Sequence, residues 1–380
     1  MDTIYFDNAS TAFPKAKGVG DAIKYYLDEV GSNIKRGTTL NDAEDVVYET
    51  RELLCDYLGF DNPQNLVFTQ NVTYGINMLI NGLIEENDHI VVSSVEHNAV
   101  LRPLNSLEEK RNIEVTRVKC DHMGRFDLED FRQSIRSSTK AVIMTHASNV
   151  CGTMNPIKEI GEICHEKGVY FIIDSAQTAG KVDLNSADLR ADAIAFTGHK
   201  GFLGPQGIGG FCASTELSKK LKPFIMGGTG SFSENEIQPS VMPDKFESGT
   251  LNIPGIYGLN VALKYVLKNQ KDILRKELEL TKVFIDGVKD IENIKLIGSD
   301  EIRGRMAVVS LDFGDLDNGE VCYTLSKDYR VLTRSGMHCA PSAHSALGTF
   351  PNGTLRFSFG HKNTFGEVEY VVDAIKKIVG

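Results

Sequence analysis

The sequence has no apolar run long enough to cross a bilayer, no block of basic residues and no closely spaced cysteine pair, and each absence removes a class of function. A membrane span needs on the order of 18 or more consecutive apolar residues, and none occurs in the 380-residue chain. The N-terminal Met1-Asp-Thr-Ile-Tyr-Phe-Asp7 has neither a basic head nor a long apolar stretch, so nothing there reads as a targeting segment. A cytoplasmic protein is expected. Forty-one Lys and Arg stand against 51 Asp and Glu, a formal net charge of -10. That balance argues against nucleic acid and against an anionic membrane as partners. A small-molecule substrate fits it better. The seven cysteines, at 55, 120, 151, 164, 212, 322 and 339, are odd in number and scattered without metal-ligand spacing. Neither a disulfide framework nor a metal site follows, and reduced thiols are expected. No internal repeat or low-complexity tract is visible.

What the chain does contain is an alternation of short apolar runs with helical patterns. Leu66-Val-Phe-Thr69, His89 to Ser94, Ala141 to Thr145, Val169 to Asp174 and Ala193 to Thr197 read as buried strands. Val72, Ile76, Leu79, Ile80 and Leu83 follow the helical period, as do Ile157, Ile160, Ile163 and Cys164 after Pro156. Such alternation predicts an α/β fold with a largely parallel sheet, covered on both faces, that receives its ligand at the carboxyl ends of the strands. A smaller α/β region begins near residue 262: charged helical sequence from Leu263 to Asp286, strands in Arg305–Phe313, Val331–Thr333 and Leu355–Phe359, and a closing helix from about Phe365 to Val379. The Gly-, Ser- and Pro-rich stretch from Gly227 to Pro243 reads as loop.

The chemistry concentrates at the predicted strand ends. Lys200 closes Phe196-Thr-Gly-His-Lys200, and Asp174 closes Val169-Tyr-Phe-Ile-Ile-Asp174. Burial lowers a lysine's pKa and leaves an amine able to form a Schiff base, while a nearby carboxylate can hold a pyridinium nitrogen protonated. Pyridoxal phosphate requires both. The turn Thr69-Gln-Asn71-Val72-Thr73 opens a helix, so its backbone N–H groups and the Thr73 hydroxyl are placed to cradle phosphate. Thr197 and His199 offer two further donors. Glu96-His97-Asn98 puts an imidazole where it can stack on a flat ring and exchange protons. Asn149 and Gln177 each supply an amide suited to the phenolic oxygen of the cofactor. Each residue alone has an ordinary reading as a cap, turn or surface group, and it is their order that carries the argument.

Tyr5-Phe-Asp-Asn-Ala9, Glu96-His97, Ser148-Asn149, Asp174-x-x-Gln177, Gly198-His199-Lys200, Glu247-Ser-Gly-Thr250 and Arg334-Ser-Gly-Met-His-Cys339-Ala together closely resemble the cysteine desulfurases. These belong to class V of the aminotransferase superfamily, among the fold type I pyridoxal phosphate enzymes. The resemblance spans nearly the whole chain, and the short Arg-Ser-Gly-x-His-Cys-Ala pattern is similar to the type II group, which is related to selenocysteine lyases. It implies a large domain, residues 15–261, built on a mainly parallel seven-stranded sheet, and a smaller C-terminal α/β domain, residues 1–14 and 262–380, carrying the cysteine loop. It implies Lys200 as the Schiff-base lysine, Asp174 on the ring nitrogen and His97 stacked on the ring. Asn149 and Gln177 would meet the phenolic oxygen, and Asn71, Val72, Thr73, Thr197 and His199 the phosphate. Thr250 would reach across from the partner of a homodimer. Arg356, with Arg334 and Asn149, would bind the substrate carboxylate. Cys339 would take sulfur from L-cysteine as a persulfide for transfer to an acceptor protein, as in iron-sulfur cluster assembly; the alternatives are a selenocysteine lyase acting on L-selenocysteine, another class V aminotransferase or lyase, and a non-enzymatic sulfur-delivery scaffold. Met337, where a second histidine is common, and Ala340-Pro341-Ser-Ala-His344 depart from the usual pattern. No metal is implied.

Overall fold

The computed structural model describes residues 3–33 and 42–380, so Met1 and Asp2 of the N-terminal segment lie outside the described residues. After a two-residue strand, β1 (Ile4–Tyr5), seven strands build the main sheet. They are β2 (Leu66–Thr69), β3 (His89–Ser93), β4 (Glu114–Val118), β5 (Thr139–Thr145), β6 (Tyr170–Asp174), β7 (Ala193–Thr197) and β8 (Gly209–Ala213), in the order β2-β8-β7-β6-β5-β3-β4. The strands from β7 to β4 run parallel; β8 is antiparallel to both of its neighbours. The mainly parallel seven-stranded sheet expected from the sequence is present.

Its strands are apolar almost throughout because both faces are covered. Successive side chains point to opposite faces, so Phe171, Ile173, Ile194 and Phe196 enter one core while Ile172, Ala193 and Ala195 enter another. Helices α1 (Val19–Tyr25), α2 (Asp42–Leu58), α3 (Val72–Leu83), α4 (Asn98–Arg111), α5 (Leu128–Ser134), α6 (Ile157–Lys167), α7 (Ser186–Leu189), α8 (Thr215–Lys220) and α9 (Ile253–Val288) connect and cover the strands. Ile160 of α6 and Leu259 of α9 line the first core. Ile76 and Leu79 of α3 and Leu104 of α4 line the second.

The remaining strands, β9 (Lys295–Ile297), β10 (Val308–Asp312), β11 (Val331–Leu332), β12 (Arg334–Gly336) and β13 (Thr354–Ser358), alternate with α10 (Asn318–Tyr329), α11 (Pro341–Leu347) and α12 (Phe365–Val379). Four form an antiparallel sheet, β12-β13-β10-β9, while β11 pairs with β1. Phe284, Phe357 and Phe359 fill a separate core beneath them. The helix expected from Leu263 starts earlier, at Ile253, so the boundary expected between residues 261 and 262 falls inside an unbroken α9.

Two strands of the main sheet escape a reading of the sequence. β8 opens on Gly209-Gly210, a turn signal that here has a packing cause. A Cβ on Gly210 would stand 2.2 Å from the Val67 carbonyl oxygen, and one on Gly209 would stand 2.8 Å from Asn71 Cα. The glycines let β8 lie directly under the start of α3. β4 is a partly exposed, charged edge strand, which hides the apolar signal. No helix among the described residues is long and apolar enough to cross a membrane.

Candidate active site

Lys200 follows β7 and Asp174 ends the neighbouring β6, so the sheet itself brings the two together. Burial pulls the Lys200 amine down to about 8, opposed by the charge of Asp174. Asp174 is 2% exposed; burial pushes its carboxyl up, while the Ala176 N–H, 2.9 Å from Oδ1, and Lys200 hold it down. The amine and the carboxyl act on one another electrostatically, each opposing the effect of burial on the other.

Beyond β3, His97 caps α4, its Nδ1 accepting the Ala99 N–H at 3.0 Å. Burial and the charges of Lys200, Arg356, Arg102 and Arg334 lower this imidazole to about 4. It is therefore neutral at pH 7 with its proton on Nε2. Glu96, whose role is not apparent from its neighbours in sequence, is fully buried. Thr145 N–H reaches both of its oxygens, at 2.9 and 3.0 Å, and Ser93 Oγ lies 2.5 Å from Oε1. Burial pushes this carboxyl up to about 8. It ties the ends of β3 and β5 together.

The residues expected to meet phosphate lie where β2 passes into α3 and at the end of β7, two strands that flank β8. Asn71 caps α3, its side chain accepting Tyr74 N–H at 3.3 Å, and Thr73 is exposed in the first turn. Thr197 Oγ1 and His199 Nδ1 are buried with no hydrogen-bond partner among the described residues. Two orphaned donors beside a helix N-terminus suit an oxyanion ligand, and pyridoxal phosphate fits this cup and the Lys200–Asp174 pair together. Gln177 Nε2 donates to Ala9 O at 3.2 Å. Thr250 is exposed, in a loop anchored by Glu247, which pairs with Arg51 at 2.6 Å and accepts Phe68 N–H at 2.8 Å.

Arg356 and Arg334 are partners in register on β13 and β12. Arg356 is buried and donates to Asp7 at 2.9 Å, Ser10 at 2.7 Å and Asn149 O at 3.0 Å; Arg334 reaches the same Ser10 hydroxyl at 3.1 Å. The Nε of Arg356 has no hydrogen-bond partner among the described residues. Two guanidinium groups gather beside one carboxylate, Asp7, which leaves positive charge for a ligand carboxylate. Asp7 and Ser10 are site residues that the sequence does not reveal. Asp7 lies inside the Tyr5–Ala9 motif, but nothing local marks it as a partner of a residue near the far end of the chain.

Cys339 is exposed, between β12 and α11. It lines a cavity of about 650 Å3 with His97, Thr73 and Arg102. His338 turns away from it: the ring meets Thr354 Oγ1 at 3.0 Å, and burial lowers it to about 2, so it brings no charge to the thiol. His344 fills space beside His338, ring centroids 5.5 Å apart. Asp174, Arg334 and Arg356 thus act electrostatically on Lys200, and Lys200 and both arginines act on His97. Asn149 bonds Arg356 and the His338 carbonyl, Thr197 and His199 precede Lys200 at the end of β7, and Thr73, His97 and Cys339 line one cavity, whose lining does not include Thr250.

The sequence profile of the aminotransferase class V family matches residues 4–371. A probable cysteine desulfurase of Methanothermobacter thermautotrophicus is 31% identical, covering 100% of this chain and 95% of that protein. One from Pyrococcus abyssi is likewise 31% identical, with 100% and 95% covered. Among solved structures, the apo cysteine desulfurase of Thermococcus onnurineus superposes with a TM-score of 0.93 at 31% identity, covering 99% of this chain and 94% of that one. An Escherichia coli cysteine desulfurase gives 0.87 at 25% identity, with 99% and 94% covered.

Proposed function

Since the chain belongs to the aminotransferase class V family and is a pyridoxal phosphate-dependent cysteine desulfurase, we propose that Lys200, Asp174, His97, Arg356 and Cys339 carry its reaction on L-cysteine. The observation that supports this assignment of roles is the electrostatic neighbourhood of a lysine whose pKa burial lowers to about 8: Asp174, Arg356 and Arg334 act on it, and the exposed Cys339 acts in turn on Arg356. Pyridoxal phosphate, when bound, supplies an electrophilic carbonyl and a sink for the electrons released at the substrate's Cα.

The residues divide the rest of the work. Asp174 would keep the pyridine nitrogen protonated, and Thr73, Thr197 and His199 would hold the phosphate. The Arg356 guanidinium orients the substrate carboxylate, with Asn149 and Arg334 beside it. Lys200, its amine near pKa 8, takes the proton from Cα and can return it. Neutral His97 presents an N–H to the cleft. Cys339 as thiolate attacks the substrate sulfur: a sulfur–sulfur bond forms, the carbon–sulfur bond breaks, and its electron pair stays on carbon, which takes a proton and leaves as alanine. Sulfur remains on Cys339 as a persulfide for an acceptor.

We further read the working form as a cytoplasmic homodimer in which Thr250 of one copy meets the phosphate site of the other. Its exposure, and the exposed Phe224, Met226, Phe232 and Ile237 in the preceding loop, support this. The deciding assay measures alanine from L-cysteine in wild type and Cys339→Ala. Alanine without persulfide in the wild type, or full turnover in the variant, would remove Cys339 from the mechanism.

A further inference from the structure

The loop that carries Cys339 has an unusual backbone. His338 and Cys339 both occupy the left-handed region, with φ of 46° and 56°, where a side chain crowds its own backbone. Neither is glycine, and two such residues in succession persist only when their surroundings hold them there. Two hydrogen bonds do so from different elements. Asn149 Nδ2 donates to the His338 carbonyl at 2.7 Å, buried, and the backbone N–H of Asn98 donates to the Cys339 carbonyl at 2.8 Å. Asn98 is the first residue of α4, immediately after the capping His97, so its N–H is one of the donors that a helix leaves without an internal partner.

These anchors are not spread at random. Asn98 adjoins His97. Asn149 gives its backbone carbonyl to Arg356 Nη1 at 3.0 Å, so the residue that holds the cysteine loop is itself held by the arginine of the carboxylate site. We propose that Asn149 and the Asn98 amide are positioning groups that clamp the strained His338–Cys339 backbone, and that through Asn149 the thiol is mechanically tied to the substrate-carboxylate site. This rests on the reading of Cys339 as the sulfur acceptor. A released loop would relax toward ordinary backbone angles and carry the thiol away from the substrate sulfur, while the cofactor cup, built on β2, β6 and β7, would remain.

Two substitutions separate the anchors. Asn98→Pro deletes the N–H together with the Asn98 side chain, for which Asn98→Ala, keeping the N–H, is the control. Proline is favoured at the first helical position, and His97, at φ -75° and ψ 155°, already has the extended conformation that a residue before proline requires. Asn149→Ala deletes the other donor. Amide hydrogen exchange of the segment 336–343, in cofactor-free protein, is the direct readout. We expect it to rise at least fivefold in either variant, with other segments and Tm little changed. In Asn98→Pro loaded with cofactor, kcat for alanine formation should fall at least tenfold while KM for L-cysteine and the visible cofactor absorption stay within twofold of wild type.

Unchanged exchange in a folded Asn98→Pro or Asn149→Ala protein overturns the clamp. So does fast, unprotected exchange of this segment in the wild type, which needs no variant to fold. Because the exchange measurement involves neither substrate nor turnover, it can fail while the desulfurase reading stands. Absent alanine formation in the wild type would instead remove that reading and leave the clamp untouched.

Discussion

Lys200 and Asp174 are legible as chemistry in the sequence because each ends an apolar run, and a charged group there has a physical consequence that its type alone predicts. Replacing Lys200 by Ala should abolish alanine formation and covalent attachment of the cofactor, checked by mass spectrometry after borohydride reduction. Retained turnover would refute the role. Glu96 carries no such mark, since its importance comes from Thr145 and Ser93 together, which the sheet brings around one carboxyl. Its folded pKa of about 8 lies above the ordinary 4.5, so the folded chain holds the proton more tightly. Stability is then fully present below about pH 4.5 and declines as pH rises toward 8. Glu96→Gln, an uncharged isostere, should escape this loss. We expect a few kcal/mol of relative stabilisation at pH 9 and little difference at pH 4 by urea unfolding. An equal gap at both pH values would show that the carboxyl does not titrate as its burial requires.

At the scale of elements, the strands β5 to β7 and the helices α3, α6 and α12 follow from periodicity, because both sheet faces are buried and the helices keep one apolar side. β8 does not, since its glycines serve a close approach to β2 and α3 that no local pattern encodes. Nor does the pairing of β1 with β11, which joins the two ends of the chain. The loop bearing Thr250 depends on another distant contact: Glu247 is buried against Arg51, and Arg51 also stacks 4.7 Å from the centroid of Phe68. Glu247→Ala would strand a buried guanidinium and leave the Phe68 N–H without its acceptor. Breaking such a pair costs about 3–5 kcal/mol, so the urea midpoint should fall markedly. A loss below about 1 kcal/mol would show that water replaces the carboxylate.

For the whole molecule, the proposed phosphate cup leaves buried polar atoms without a partner among the described residues. Among the described residues Thr197 Oγ1 and His199 Nδ1 have no hydrogen-bond partner, Thr73 is exposed in the first turn of α3, and Thr250 is exposed in a loop tethered by Glu247. If a second copy supplies Thr250, cofactor affinity must depend on association as well as on local contacts. A hydrogen bond to a charged phosphate contributes about 1.5–3 kcal/mol, so Thr250→Ala should weaken cofactor binding roughly ten- to hundredfold. Diluting the wild type below its dimer dissociation constant should produce a comparable weakening, whereas dilution should alter the variant less. Sedimentation velocity and cofactor titration across the same concentration range test both halves. A wild type that stays monomeric while binding cofactor tightly, or a Thr250→Ala protein that binds it unchanged, would place the whole phosphate site within a single chain.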